Sequence, residues 1–164
     1  MLDKLTLEDI TVAEHPHETV DRFVCENHYL AGQPTPQTIY RYVISGGLRW
    51  GWVGGALWGK PVARHEDQTD TLELLRFWTM HDTPKNTESY ALGRMIRDID
   101  QKGTHSRLIA YASTGQDHDG TIYQATNWED CGVRETNTGD GWGNRTGRAN
   151  DDPSAKRKFE YLLD

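Results

Sequence analysis

Thr71-Leu-Glu-Leu-Leu-Arg76-Phe-Trp-Thr-Met80, followed by His81-Asp-Thr-Pro-Lys-Asn-Thr-Glu-Ser89, is the stretch that decides the fold of this chain. Leu72, Leu74, Leu75, Phe77 and Trp78 are nearly continuous, the pattern of a strand covered on both faces. Residues 72–80 are therefore expected at the centre of a sheet. Pro84 and Asn86 mark a loop, and Thr87 or Asn86 can cap the helix that follows. Tyr90, Leu92, Met95, Ile96 and Ile99 supply its apolar stripe, and Lys102-Gly103 stops it. A strand that opens through a polar loop into a helix N-terminus aims unpaired backbone N–H groups at one point, which suits phosphate or carboxylate.

Outward from this segment, His17 to Tyr29 places Val20, Phe23, Val24 and Tyr29 broadly on one side of a first helix. Thr38 to Ser45 and then Leu48 to Gly59, separated by Gly46-Gly47, read as strand, turn, strand, ended by Pro61. Gly54-Gly55 inside the second strand allows a bulge or a close backbone approach. Trp50, Trp52 and Trp58 share one parity unless that bulge shifts it. They offer π-faces for a nucleobase, but core packing of at least one is the stronger expectation. Downstream, Arg107–Ala112 reads as a strand, Gly120–Trp128 as a helix and Val133–Thr136 as a strand. Residues 158–163 form a last strand that closes the sheet. The expected class is α/β (α+β), with a mixed, mostly antiparallel sheet flanked by helices.

A length of 164 residues suits one domain, 1–164, with a single core. No apolar run approaches the ~18 residues of a membrane span, and Met1-Leu-Asp-Lys-Leu-Thr-Leu-Glu-Asp9 lacks the order of a signal peptide. A cytoplasmic protein without membrane contact is expected. Cys25 and Cys131 lie far apart without a CxxC pattern, as two half-buried thiols would. A formal net charge of -7 excludes a surface that grips nucleic acid throughout. Any such contact must be local. Arg145, Arg148, Lys156, Arg157 and Lys158 fall in a Gly/Asn/Asp-rich segment at about 137–158, which reads equally as a basic arm or a solvated tail. Adjacent residues such as Asp117-His118-Asp119 rarely converge on one ion, so no metal is assigned.

The element order resembles the GNAT N-acetyltransferase fold, whose acyl-CoA pyrophosphate rests on backbone amides after the central strand. The glycine-rich signature of that fold, Arg/Gln-x-x-Gly-x-Gly/Ala, is replaced here by Pro84-Lys-Asn-Thr-Glu-Ser89. Without those glycines the backbone approaches a pyrophosphate less freely. His28-Tyr29, Leu75-Arg76-Phe77, Asn86-Thr-Glu-Ser89 and Gly120-Thr-Ile-Tyr123-Gln-Ala, in that order, resemble the phage Mom family. Its members are GNAT-like proteins that attach a carbamoylmethyl group to the exocyclic amine of adenine in viral DNA, hiding sites from restriction nucleases.

The resemblance implies DNA as partner, and it leaves the donor open, with acetyl-CoA or another acyl-CoA-like molecule as the candidate. It implies that Arg76 and the backbone of Asn86, Thr87, Glu88 and Ser89 hold the anionic part of that donor. Tyr123 would act as acid or hydrogen-bond donor, and His28 and Tyr29 would shape a pocket for a flipped base. The basic segment from Arg145 to Lys158 would bear on phosphate. Where the family carries Tyr-Ala-Asp, this chain has Tyr111-Ala112-Ser113. Serine does not replace a general base, and Asp117 or Asp119 is the expected substitute.

The same residues have plainer readings. Arg76 among apolar neighbours could pair with Glu73, Glu88 or Asp117, Ser89 could satisfy a free N–H of its helix, and His28 could be a helix cap. Two other functions fit the pattern: an acyl-CoA-dependent N-acetyltransferase acting on a small-molecule, protein or hypermodified-base amine, and a catalytically idle DNA-binding relative.

Overall fold

The computed structural model describes residues 4–28, 38–113, 120–134 and 156–164. A 3-10 turn at Leu7–Asp9 leads into β1 (Thr11–Glu14) and α1 (Thr19–Asn27), followed by β2 (Thr38–Ser45), a helical turn α2 (Gly47–Trp50) and β3 (Trp52–Gly59). Then come β4 (Thr71–Thr79), α3 (Thr87–Lys102), β5 (Arg107–Ser113), α4 (Thr121–Ala125), β6 (Glu129–Arg134) and β7 (Lys156–Leu162). The strands form one seven-stranded sheet in the order β1-β2-β3-β4-β5-β7-β6, with β4 in the middle, as its apolar run requires. Every pairing is antiparallel except β4 with β5.

Four details depart from the sequence reading. The four-residue β1 had no clear alternating signal, and its pairing with β2 supplies what its own pattern lacks. Gly47 and Gly51 adopt φ of +80° and +66°, so the β2–β3 connection is a helical turn and the strand starts at Trp52. α4 ends at Ala125 because the Thr126 hydroxyl donates to the Ile122 carbonyl and Asn127 turns left-handed at φ 68°. The last strand does not close the sheet but inserts between β5 and β6, leaving the exposed β6 as the edge.

Two apolar layers cover the sheet. On one face, α3 and α4 bury Leu92, Met95, Ile99 and Tyr123 against Trp58, Leu72, Leu74, Leu108, Ala110 and Phe159. On the other, α1 packs Val20, Val24 and Cys25 on Val43, Leu57 and Leu75. Full burial of such side chains contributes about 1.5–3 kcal/mol each before entropy is counted. Gly55 sets how close α1 can lie, since a Cβ there would come within 2.8 Å of Val24 Cγ2. Arg41 of β2 clamps the same helix through a two-pronged ion pair with Asp21, its Nη2 at 3.2 Å from Oδ2.

Of the three tryptophans, Trp50 lies in α2, and a register shift between β2 and β3 at Ser45 and Trp52 separates Trp52 from Trp58. Trp58 is fully buried on the α3 face, its indole N–H 3.5 Å from Met95 Sδ. Trp52 turns to the α1 face, where it meets Phe23 edge-on at 5.5 Å.

Gly120 precedes α4 at φ +84°, and a Cβ there would come within 2.3 Å of the buried Phe159 ring. Gly103 ends α3 at φ +65° with open space around it. Gly120→Ala is expected to lose about 2–4 kcal/mol in denaturant unfolding, from left-handed strain plus overpacking, and Gly103→Ala only about 1–2 kcal/mol. Equal losses would contradict the packing assigned to Gly120.

Candidate active site

The geometry of the site starts from one extra residue in β4. Leu57 of β3 stands opposite Arg76 and the next residue, Trp58, stands opposite Leu74, so Leu75 and Arg76 together occupy a bulge. Leu72 and Leu74 point to the α3 face and Leu75 to the α1 face. Strict alternation would return Arg76 to the α3 face, into the apolar core. The bulge instead keeps it on the α1 face, opposite Leu57 and near enough to Cys25 to oppose the rise that burial imposes on that thiol's pKa. Its Nη1 donates to the Leu75 carbonyl at 2.7 Å. Phe77 then packs on the α3 side and Trp78 on the α1 side.

Below the bulge, β4 and β5 share a parallel ladder of three pairs, Thr71 with Arg107, Leu72 with Leu108 and Glu73 with Ile109. Beyond Glu73 the two strands diverge, and β5 continues along β7 as far as Ser113 opposite Lys156. The sheet therefore forks at its centre. At the upper end of β4, the chain turns through Asn86, left-handed at φ 70°, into α3. Asn86 gives the first turn no side-chain cap. The Thr87 hydroxyl donates back to the Pro84 carbonyl at 2.6 Å, and the Ser89 hydroxyl donates to the Asn86 carbonyl at 3.2 Å. Neither Asn86 nor Thr87 caps by side chain, and Ser89 does not take up a helix N–H. The Thr87 N–H donates to the Pro84 carbonyl at 3.1 Å, so the helix end presents the amides of Glu88 and Ser89. Glu88 accepts from the Thr79 hydroxyl at 2.9 Å.

Tyr123 lies on the opposite side of the sheet from Arg76. Its ring is buried, stacked on Phe159 at 4.8 Å and edge-on to Trp128 at 5.3 Å. The fork is where the sheet opens between these two faces. His28 ends α1 in an extended conformation, its N–H donating to the Val24 carbonyl at 2.9 Å, as a helix C-cap does. Ser113 is buried at the end of β5, on the α1 face by alternation from Ala110 and Ala112. Tyr29, Asp117, Asp119, Arg145 and Arg148 lie outside the described residues.

Lys156, Arg157 and Lys158 belong to β7 and not to an arm. Lys158 is buried and ion-paired with Glu66 and Glu160, and Arg107 binds the same two carboxylates. Burial pushes the Glu66 carboxyl up, but hydrogen bonds and charge from Lys158 and Arg107 outweigh it and hold the group below its usual range. Arg157 pairs with Asp130 at 2.8 Å. No sequence signal pointed to this network, because its members are far apart in the chain. Glu73 had a visible signal, an acid inside an apolar run. It is 4% exposed and burial pushes its carboxyl up to about 7, although the Val62 N–H, Lys156 and Arg76 pull the other way. Among the described residues, no cluster of three or more His, Cys, Asp or Glu could hold a metal ion. No described helix is long and apolar enough to cross a membrane.

Residues 9–159 match the Mom protein family. The methylcarbamoylase Mom of Escherichia phage Mu is 28% identical over 94 residues, which cover 57% of this chain and 39% of that protein. The match thus spans about two fifths of the relative's length. Among solved structures, an IAA acetyltransferase from Bacillus cereus superposes with a TM-score of 0.65 at 10% identity, covering 94% of this chain and 99% of that one. The ribosomal-protein-S18-alanine N-acetyltransferase of Escherichia coli gives 0.64 at 7% identity, covering 94% of each chain. A GNAT family acetyltransferase from Elizabethkingia anophelis, solved with acetyl-CoA bound, gives 0.57 at 12% identity and covers 95% and 99%. These likenesses establish the GNAT fold.

Lys158→Ala is expected to lower stability by about 1–3 kcal/mol, because buried Glu66 loses one of its two cationic partners and keeps Arg107. A solvated tail lysine would cost less than about 0.5 kcal/mol. Urea midpoints distinguish the two.

Proposed function

Since the chain belongs to the Mom protein family, we propose that it is a transferase that moves a group from an acyl-CoA-like donor to an exocyclic amine of a DNA base, adenine foremost. The observation that carries this reading is the forked sheet, inside the family match, with Arg76 held on one side of it by the bulge.

The residues present fit an elongated donor with an anionic end. Diverging strands leave backbone groups of β4 beyond Glu73 without partners on β5, which suits an extended chain lying between them. The uncapped first turn of α3, with exposed Lys85 beside it, suits the anionic portion. Asn86 supplies the positive φ that a glycine would otherwise provide. Such a donor would supply a carbon activated by its bond to sulfur. Arg76 neutralises and orients from the α1 face, and Tyr123 lines the fork from the other.

A duplex hides the adenine amine, so the base must leave the stack or be met in an opened strand. Trp52, Phe23 and Trp78 form a chain of edge-to-face rings on the α1 face, with Trp52 39% exposed and open to a stacked base. His28 ends the same helix, α1, that carries Phe23. The net charge of -7 confines phosphate contact to local groups.

Plasmid DNA from cells expressing the protein is expected to yield a modified deoxyadenosine by nucleoside mass spectrometry, with resistance to restriction at adenine-containing sites. The mass of the adduct identifies the transferred group. Arg76→Ala should abolish the adduct in protein that still unfolds in a single cooperative transition, which a melting curve checks. Unmodified nucleosides from cells holding soluble wild-type protein would contradict the reading.

A further inference from the structure

Among the described residues, those at the fork leave one chemical role unfilled. The amine of adenine is conjugated with its ring and is a poor nucleophile, so its proton must leave as the new bond forms. The position where the family resemblance leads one to expect an acid holds Ser113. On the same face of the sheet, at the last pair before the strands diverge, sits Glu73. It is 4% exposed, and its Oε1 is buried without a hydrogen-bond partner among the described residues. A buried carboxyl oxygen left unsatisfied costs about 1–3 kcal/mol or more. Its position on β4 is also irregular, since every other residue from Leu72 to Leu75 is apolar.

We propose that Glu73 is the proton acceptor of the transfer reaction, taking the place of a carboxylate at the end of β5. The proposal rests on the amine-transferase reading above. As the acceptor nitrogen forms its bond to the donor carbon, the bond from that carbon to sulfur breaks and its electron pair leaves on sulfur. The displaced N–H proton passes to Glu73 Oε1 and from there to the thiolate or to solvent. Amine and thioester thus give amide and thiol, with no other reactant.

The surroundings make the group responsive to pH. The Val62 N–H binds the carboxyl from the β3–β4 connection, and Glu66 of that connection adds negative charge. Arg76 contributes positive charge from β4 itself and Lys156 from β7. Tyr111 faces it from β5, its phenol pushed up by burial and then by Glu73 and Glu66. The balance leaves the carboxyl titrating at about 7, near the value that favours a base at neutral pH. Because this folded value lies above the usual 4.5, the protonated fold is favoured. Its contribution is complete below pH 4.5 and is lost as pH rises to about 7.

The test compares wild type, Glu73→Gln and Glu73→Asp by adduct formation in DNA of expressing cells, and by melting temperature from pH 4.5 to 8.5. The proposal expects at least a 100-fold loss of adduct in Glu73→Gln, the lower end of the range for a general base, with partial activity in Glu73→Asp. It also expects the melting temperature of Glu73→Gln to rise relative to wild type as pH climbs toward 7. Adduct in Glu73→Gln within threefold of wild type would overturn it. A melting difference that stays constant across the pH range would overturn it whatever the substrate. Loss of adduct in wild type as well would instead refute the DNA reading on which it rests.

Discussion

The architecture depends on the extra residue at Leu75–Arg76. Without it, β4 would alternate evenly and carry a guanidinium into the Leu72, Leu74, Met95 and Ile99 core. A charge stranded there would cost several kcal/mol, more than the local loss of ladder hydrogen bonds. The bulge removes that conflict by giving Leu75 and Arg76 one face. It also lies just above the three-pair β4–β5 ladder. The same short segment thus turns a charge toward α1 and accompanies the opening of the sheet.

Around the fork, polar groups separate by their degree of satisfaction. Lys158, Glu66, Arg107 and Glu160 are mutually paired beneath it, forming a closed set of two cations and two anions. Such a set contributes little net stability over apolar packing but punishes loss of any one member. Glu73 sits beside this set with one oxygen outside any hydrogen bond among the described residues. A satisfied network and an adjacent orphan carboxyl oxygen thus lie side by side on β4 and β7.

Much of the fold was legible because its signals are local. The apolar run of β4, the stripe of α3, Gly103 as its stop and the Ile/Tyr/Val-rich β2 each carry their own pattern, and the structure follows them. The features that were not legible are set by partners distant in sequence. β1 is a strand because β2 is beside it, and β7 takes an inner position because β5 offers an antiparallel edge. Lys158 reads as part of a basic tail until Glu66, 92 residues away, is placed against it. At the site, Arg76 was recognisable as a charge among apolar neighbours, whereas its face required knowledge of the bulge. Tyr123 was recognisable by motif, but its burial against Phe159 depends on a strand more than thirty residues downstream.

The central claim is that the fork and the first turn of α3 form one binding groove for a CoA-type donor. The most direct measurement is a titration of acetyl-CoA into isotopically labelled protein, followed by backbone amide resonances. The account predicts shifts concentrated at Leu74 to Thr79 and at Glu88 and Ser89. Binding that leaves those amides unmoved, or no binding at millimolar acetyl-CoA, would contradict it.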